Sequence, residues 1–421
     1  MTGCKSKAKE YQIQYNSDGY IIDSFNLSDI KIKVTEGKSV EYVSLTEDML
    51  DKAYAFDKPG EYEINIHYED YKETIKITLE GTRKVLNNGY KEVTALYTAF
   101  SGATLTDRVP LEEIGTTLYV GNTFGLEQNV EYTSSDETII RINENNVLIC
   151  LKRGKATISA GEDVKVKISV EEMELTASNY YSTIGYLPEM SSSDIKTIIH
   201  NIIDEHTKCS YTYLKTILPL SDADPENPNN MILLYTGRSQ GGEIAQNNEP
   251  DGWNREHVWP LSELGGSTSL TAGCDAHHIR PADLSINNRR GNMEYGIGSM
   301  IVEDTYAPGS SKCKISSEYF EPRDEVKGDI ARMLFYMAVR YEGDVSDEAD
   351  LELVLDKTAE KDYKIGNLSV LLAWNRMDPV DEFEMHRNDV IYSYQKNRNP
   401  FIDYPSLADL IWSREKWKNL D

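Results

Sequence analysis

The stretch Trp253-Asn254-Arg255-Glu256-His257-Val258-Trp259-Pro260 sets a carboxylate beside an imidazole, with a guanidinium one place earlier. Three of the seven histidines, His257, His277 and His278, crowd between positions 257 and 278. Just downstream run Asp275-Ala276-His277-His278-Ile279-Arg280-Pro281 and Asn287-Asn288-Arg289-Arg290-Gly291-Asn292. Acid, imidazole, amide and arginine are what a metal-assisted attack on a phosphodiester requires. Carboxylate and amide oxygens hold a hard cation. A neutral imidazole takes a proton from water. Guanidinium groups grip phosphate oxygens through paired hydrogen bonds.

Such groups need strands and helices to hold them. Ser191-Ser192-Ser193 leads into Ile195, Ile198, Ile199, Ile202 and Ile203, which is helical spacing behind a serine cap. Leu214 to Leu220 extends the helical part. Asp222 to Asn230, rich in Pro, Asp and Asn, reads as a loop, and Met231 to Tyr235 as a strand. Arg238 to Gly252 is a long polar approach to the motif. Ile330, Met333, Leu334, Met337 and Tyr341 recur three or four apart and predict a buried helix over 328–341. Leu368 to Trp374 predicts another, and the tail from Asp403 carries a further helical pattern. His277 and His278 are read as neighbours on a strand, where at most one can face the cleft.

The motifs resemble those of the bacterial endonuclease I family of periplasmic and secreted nucleases. Besides the three stretches above, Lys327-Gly328-Asp329-Ile330-Ala331-Arg332-Met333, Trp374 with Asp378-Pro379, and Arg398-Asn399-Pro400-Phe401-Ile402-Asp403 match. The resemblance covers residues 176–421 and implies a ββα-metal finger, two strands and a helix closed on one divalent ion. It implies His257 as general base, with Glu256 and Asn287 as metal ligands and Asn287 at the start of the finger's helix. Magnesium is the first choice, with manganese and calcium as alternatives. Each assignment has a plainer rival: a buried structural histidine for His257, a salt bridge to Arg255 for Glu256, helix capping for Asn287, and a register in which Asn288 replaces it. Arg280 and Arg290 are the candidate phosphate clamps. Some family members carry their clamp arginine between the two half-motifs, but Trp259 to Cys274 contains none. Arg280 is therefore the first choice, and a salt bridge fixing the helix is the rival role for Arg290. His277 matches the family's histidine, and His278 departs from the asparagine common there. Arg255, Asp275, His277, His278 and Asn292 are expected as supporting or substrate-binding groups. The implied reaction is hydrolysis of DNA, with RNA as a further substrate and little sequence preference. A surface-attached binding protein with an inactive nuclease domain is the alternative.

A chain of 421 residues is too long for one ordinary core, so two or three domains are expected. The net charge is −26; residues 1–174 hold 20 basic and 30 acidic side chains, and residues 175–421 hold 24 and 40. No basic stripe can supply strong non-specific nucleic-acid affinity, which argues against a packaging or regulatory protein. Phosphate binding must be local. Cys4, Cys150, Cys209, Cys274 and Cys313 show no Cys-x-x-Cys spacing, so a zinc ribbon is a poor reading. Met1-Thr2-Gly3-Cys4 resembles the end of a bacterial lipoprotein signal and makes Cys4 a candidate lipid anchor of an extracellular or cell-surface protein. No run of eighteen apolar residues occurs, so no transmembrane segment is expected.

Residues 10–82 alternate: Tyr62, Ile64, Ile66 and Tyr68 against Glu61, Glu63, Asn65 and His67. They resemble a bacterial immunoglobulin-like domain. Residues 83–172, with alternating Val164, Val166, Ile168 and Val170, resemble a second, group-2 type. The expected architecture is thus a tail over 1–9, two all-β immunoglobulin-like sandwiches over 10–82 and 83–172, and an α+β nuclease domain over 176–421. The β modules are read as spacers, with cell-surface or polysaccharide contact as the functional alternative. All the motif residues lie beyond 176, so a fragment starting there is expected to carry the activity.

Overall fold

The computed structural model describes residues 9–412 apart from 16–19, 22–26, 38, 55, 57–59, 81–107, 162, 174–179, 182, 184–189, 243–251, 306, 308, 346–347 and 356–362. The candidate lipid site Cys4 and the expected boundary at 82–83 lie outside the described residues. The chain divides into two compact units, Met1–Asn87 and Asn88–Asp421.

Alternating side chains build the first unit. Strands β1 (Lys9–Gln14), β2 (Tyr20–Ile21), β3 (Lys31–Glu36), β4 (Ser39–Ser44), β5 (Gly60–Tyr68) and β6 (Tyr71–Glu80) form two sheets, of order β1-β3-β4 and β2-β6-β5. Register pairs Tyr62 with Ile77 and Ile64 with Ile75. One face of each sheet is therefore apolar, and Ile30, Ile32, Val34, Ile64, Ile66, Ile75 and Ile77 close a single core.

The second unit opens with another pair of sheets. Strands β7 (Thr117–Tyr119), β8 (Thr123–Gly125), β9 (Tyr132–Ser134), β10 (Ile140–Ile142), β11 (Val147–Cys150), β12 (Gly154–Ala160) and β13 (Val164–Glu171) are ordered β7-β13-β12-β9 and β10-β11-β8. Strand β11 is buried on both faces, which is why Val-Leu-Ile-Cys reads as an unbroken apolar run. Leu148 and Cys150 fill the core between these sheets, whereas Val147 and Ile149 belong to the core of the helical body. Arg141 pairs with Asp194 and the Asn201 amide donates to the Leu151 carbonyl at 3.0 Å. The division expected at 172–176 is thus not a division between cores.

In the helical body, α1 (Ser192–Ile203) starts as expected, with Ser191 and Asp194 exchanging hydrogen bonds in a capping box. Helix α2 (Leu214–Ser221) follows. The expected loop over 222–230 instead contributes β14 (Ala223–Asp224) and β15 (Asn227–Ile232); β15 lies between β14 and β16 (Ser239–Gly241) and pairs with both. Next come β17 (Trp253–His257), β18 (Ile279–Asp283) and α3 (Leu284–Arg290), then a small sheet that includes β19 (Glu294–Tyr295). Helix α4 (Lys327–Arg340) is buried along its whole length, and α5 (Leu368–Met377) packs on it. Helix α6 (Glu382–Gln395) was not expected. Its buried positions Glu384, Arg387, Asn388, Ile391 and Gln395 recur at helical spacing but are mostly polar, so no apolar stripe announces them.

Candidate active site

Strands β17 and β18 pair antiparallel, with Asn254 opposite Ala282, Glu256 opposite Arg280 and His257 opposite Ile279. The turn into α3 is fixed by Asp283, whose carboxylate accepts from the Ser285 and Ile286 amides at 2.9 and 3.1 Å. Asp283, rather than Ser285 or Asn287, is the helix cap. Ile286 is anchored in the core, and its neighbour Asn287 and Arg290, three places on, reach back to β17.

Asn254 and Glu256 share one face of β17. The Asn287 side-chain amide donates to Asn254 Oδ1 at 2.7 Å, which leaves Asn287 Oδ1 turned to serve as an acceptor. Asn287 is half-buried and Asn288 exposed. Glu256 is buried; its Oε1 accepts from the Tyr235 hydroxyl and lies 3.0 Å from Arg290 Nη1. Burial raises its pKa, while Arg290, Tyr235 and Tyr295 pull it back down. A carboxylate and an amide oxygen are donors that a hard divalent ion takes, and the Asn254 contact fixes which way the amide points.

His257 lies at the end of β17. Its Nε2 is 3.1 Å from the Gly273 carbonyl, and a carbonyl only accepts, so Nε2 carries the proton and Nδ1 keeps its lone pair. Among the described residues Nδ1 has no hydrogen-bond partner. The ring stacks on Tyr211 at 5.6 Å and lies 5.5 Å from the His278 ring. Burial, opposed by the Gly273 contact and helped by Arg255 and Arg290, lowers its pKa to about 4. The ring is neutral near pH 7, as a proton acceptor must be.

The two candidate clamps are not free to grip phosphate. Arg280 is 1% exposed, pairs with Asp222 and with Asp329 at 3.1 Å, and lies over the Phe383 ring. Those carboxylates occupy it inside the core, which corrects its assignment as first-choice clamp. Arg290 is equally buried and donates to the His257 and Val258 carbonyls at 3.0 and 2.9 Å besides pairing with Glu256. It holds the reactive strand in place and has no face toward a substrate, so its rival role as a fixing salt bridge is the one the geometry favours. The salt bridge considered for Glu256 is made with Arg290. Arg255 donates to the Tyr211 carbonyl and lies 3.5 Å over that ring. Arg289 and Asn292 are exposed at the end of α3 and beyond it.

His277 and His278 are not strand neighbours: they close a single helical turn, Ala276–His278, ahead of β18. Both are buried, His277 against the Asn397 carbonyl at 3.1 Å and His278 against that of Ala272 at 2.7 Å. Asp275 accepts from Tyr336, Tyr341, Gln395 and the His277 amide at 2.8–2.9 Å and is an internal anchor. Sequence reasoning passed over Tyr211, Tyr235, Tyr295, the Gly273 carbonyl and Asn254. Only Asn254 left a signal, since it lies two places before Glu256 and must share its face.

A mixed α+β body with acid, imidazole and amide gathered on a hairpin and one helix defines a domain of nuclease type. The family model for endonuclease I matches residues 191–406, and the model for the group-3 bacterial Ig-like domain matches residues 16–79. The extracellular ribonuclease of Bacillus subtilis (strain 168) is 50% identical over 224 residues, which is 53% of this chain and 75% of that protein. That of Bacillus amyloliquefaciens is 50% identical over 229 residues, with the same shares. An extracellular deoxyribonuclease of Aeromonas hydrophila is 29% identical over 134 residues, 31% of this chain and 48% of its own. The chain belongs to the endonuclease I family, with a bacterial Ig-like region ahead of its nuclease domain. Among the described residues no helix is long and apolar enough to cross a membrane.

Proposed function

We propose that this chain is an exported endonuclease that hydrolyses phosphodiester bonds of DNA and RNA with one divalent ion and little sequence preference. The observation that carries the reading is the Gly273 contact, which fixes the His257 tautomer and leaves Nδ1 to take a proton from water. Hairpin and helix then act as a ββα-metal finger, with Glu256 and Asn287 holding the ion. When bound, a magnesium ion would supply positive charge to the scissile phosphate and the departing 3′ oxygen. The protein's own groups do the rest. Asn254 orients the Asn287 amide, Arg290 fixes the backbone at His257 and Val258, and Tyr211 holds the imidazole plane. With Arg280 and Arg290 committed elsewhere, the exposed Arg289 is the motif arginine left to meet phosphate. RNA stands beside DNA as substrate because the relatives at 50% identity are named ribonucleases and a more distant one a deoxyribonuclease.

The two-sheet region over 109–171 is read as a second immunoglobulin-like module. Export is supported by the extracellular relatives, and lipid attachment at Cys4 remains part of the proposal. The test is degradation of plasmid DNA and of a structureless RNA with magnesium and with EDTA. Cleavage of both, abolished by chelator, is expected. Intact substrates under all metals tested would favour a binding protein with an inactive nuclease domain.

A further inference from the structure

Away from the hairpin, His200 in the last turn of α1, Asp204 just past it and Asp344 beyond α4 come together, each with a ligand atom within 4.8 Å of the others. His200 is buried, Asp204 half-buried and Asp344 exposed. His200 Nδ1 lies 2.8 Å from the Val339 carbonyl. That carbonyl can only accept, so Nδ1 carries the ring's proton and Nε2 presents a lone pair. Nε2 faces Asp344 Oδ2 at 3.3 Å. Two acceptors face each other there unless a second ring proton or a metal ion stands between them.

Surrounding charge favours a cation. Arg340 lies 2.6 Å from Asp204 Oδ1 and 2.9 Å from Glu348, so one guanidinium is shared by two carboxylates, and Asp344 stands beside Asp204. The carbonyl end of α1 adds partial negative charge. The site borders a cleft of about 900 Å³ whose walls carry Asp204, Glu205 and Asp344 and, further off in the sequence, Lys152, Arg153 and Lys396. A buried imidazole oriented by a backbone carbonyl, with two carboxylates beside it, is a donor set for a first-row divalent ion.

We propose that His200, Asp204 and Asp344 form a second divalent-metal site, independent of Glu256 and Asn287, that takes manganese or zinc and ties the segment after α4 to the end of α1. The plainer arrangement is an imidazolium of His200 paired with Asp344, and the experiment separates the two. The full chain is dialysed against Mn²⁺ alone, bound manganese is counted, and melting is followed with and without the ion. Wild type, Asp344→Asn, His200→Gln and Glu256→Gln are compared. Asp344 is exposed, so its variant is expected to fold even where His200→Gln does not.

Wild type should bind two equivalents. Asp344→Asn should lose one, with at least a tenfold loss of affinity there, since even outer contacts of metal ligands are worth ~10–100-fold. Glu256→Gln should keep the Asp344-dependent equivalent and its metal-induced rise in melting temperature. A single equivalent that disappears in Asp344→Asn supports the second site and counts against the ion on Glu256. A single equivalent that survives Asp344→Asn and disappears in Glu256→Gln overturns the proposal, as does manganese binding in Asp344→Asn equal to wild type.

Discussion

The hairpin of β17 and β18 and the frame behind it use the same residue types to opposite ends. On the hairpin and its helix, His257 keeps Nδ1 and Asn287 keeps Oδ1 while their other polar atoms are fixed by Gly273 and Asn254. In the frame, Arg280, Asp222, Asp329, Arg332, Glu384 and Arg387 are buried against one another. A group held at one atom and open at another can react. A charged group met by buried counter-charges can only hold. The contrast separates residues that one motif puts side by side, such as His257 and Arg290.

Removing a reactive group should produce the largest effect on rate. His257→Ala should cost ~10²-fold or more in cleavage, because it removes proton transfer and leaves the ion's charge. Its affinity for magnesium should change little. Glu256→Gln and Asn287→Ala should weaken metal binding, and part of their lost rate should return at higher magnesium. A magnesium titration of rate for the three variants checks this. Recovery of His257→Ala by metal, without recovery of Glu256→Gln, would reverse the roles of the two neighbours.

The frame predicts the opposite signature. Arg280→Leu leaves Asp222 and Asp329 in the core without their shared cation, and breaking such a buried pair costs ~3–5 kcal/mol. Melting temperature should drop steeply while the rate per folded molecule and KM stay near wild type. A raised KM with an unchanged melting temperature would return Arg280 to the substrate.

How far the sequence reaches follows the same line. That His257, Glu256 and Asn287 come together on one hairpin and its helix was legible because they fall in a short motif, and α1, α4 and α5 were legible because their apolar spacing is regular. Arg280 misled because nothing local distinguishes an arginine facing phosphate from one facing Asp222, which lies 58 positions earlier in the chain. Helix α6 was hidden because its inner face is Glu384, Arg387, Asn388 and Gln395, and their partners come from distant elements. Strand β15 was hidden because Asn-Pro-Asn-Asn carries turn chemistry, and only pairing with β14 and β16 extends it.

Strand β11 extends the frame into the β region. A fragment starting at residue 176 keeps the whole hairpin and α3 but loses Val147 and Ile149 from the core beside Ile195 and Ile198. Burying such side chains is worth ~1.5–3 kcal/mol each, so the fragment should be less stable by several kcal/mol. A fragment starting at residue 88 keeps all the described cores of the second unit and should melt and cleave like the full chain. Equal melting of the two fragments would mean that β11 is a passenger.

The smallest effect expected on rate is that of the frame's histidines, and the pH dependence of stability isolates them from the reactive one. Burial lowers the pKa of His277 to about 4 and of His278 to about 3, with Asp275 opposing in both. In the unfolded chain both titrate near ~6.5. Below that value the unfolded state binds protons that the folded state refuses, so stability is full above about pH 6.5 and is lost as pH falls toward 4. Each histidine contributes a slope of up to ~1.4 kcal/mol per pH unit across that window. His278→Asn, which keeps an amide to meet the Ala272 carbonyl, should remove one such slope from the urea midpoint measured between pH 4 and 7. The rate of the variant at pH 7 should stay within a few-fold of wild type, because both histidines are already neutral there. An unchanged slope would show that His278 takes up its proton in the folded protein. In that case the ring beside His257 would belong to the reacting group and not to the frame.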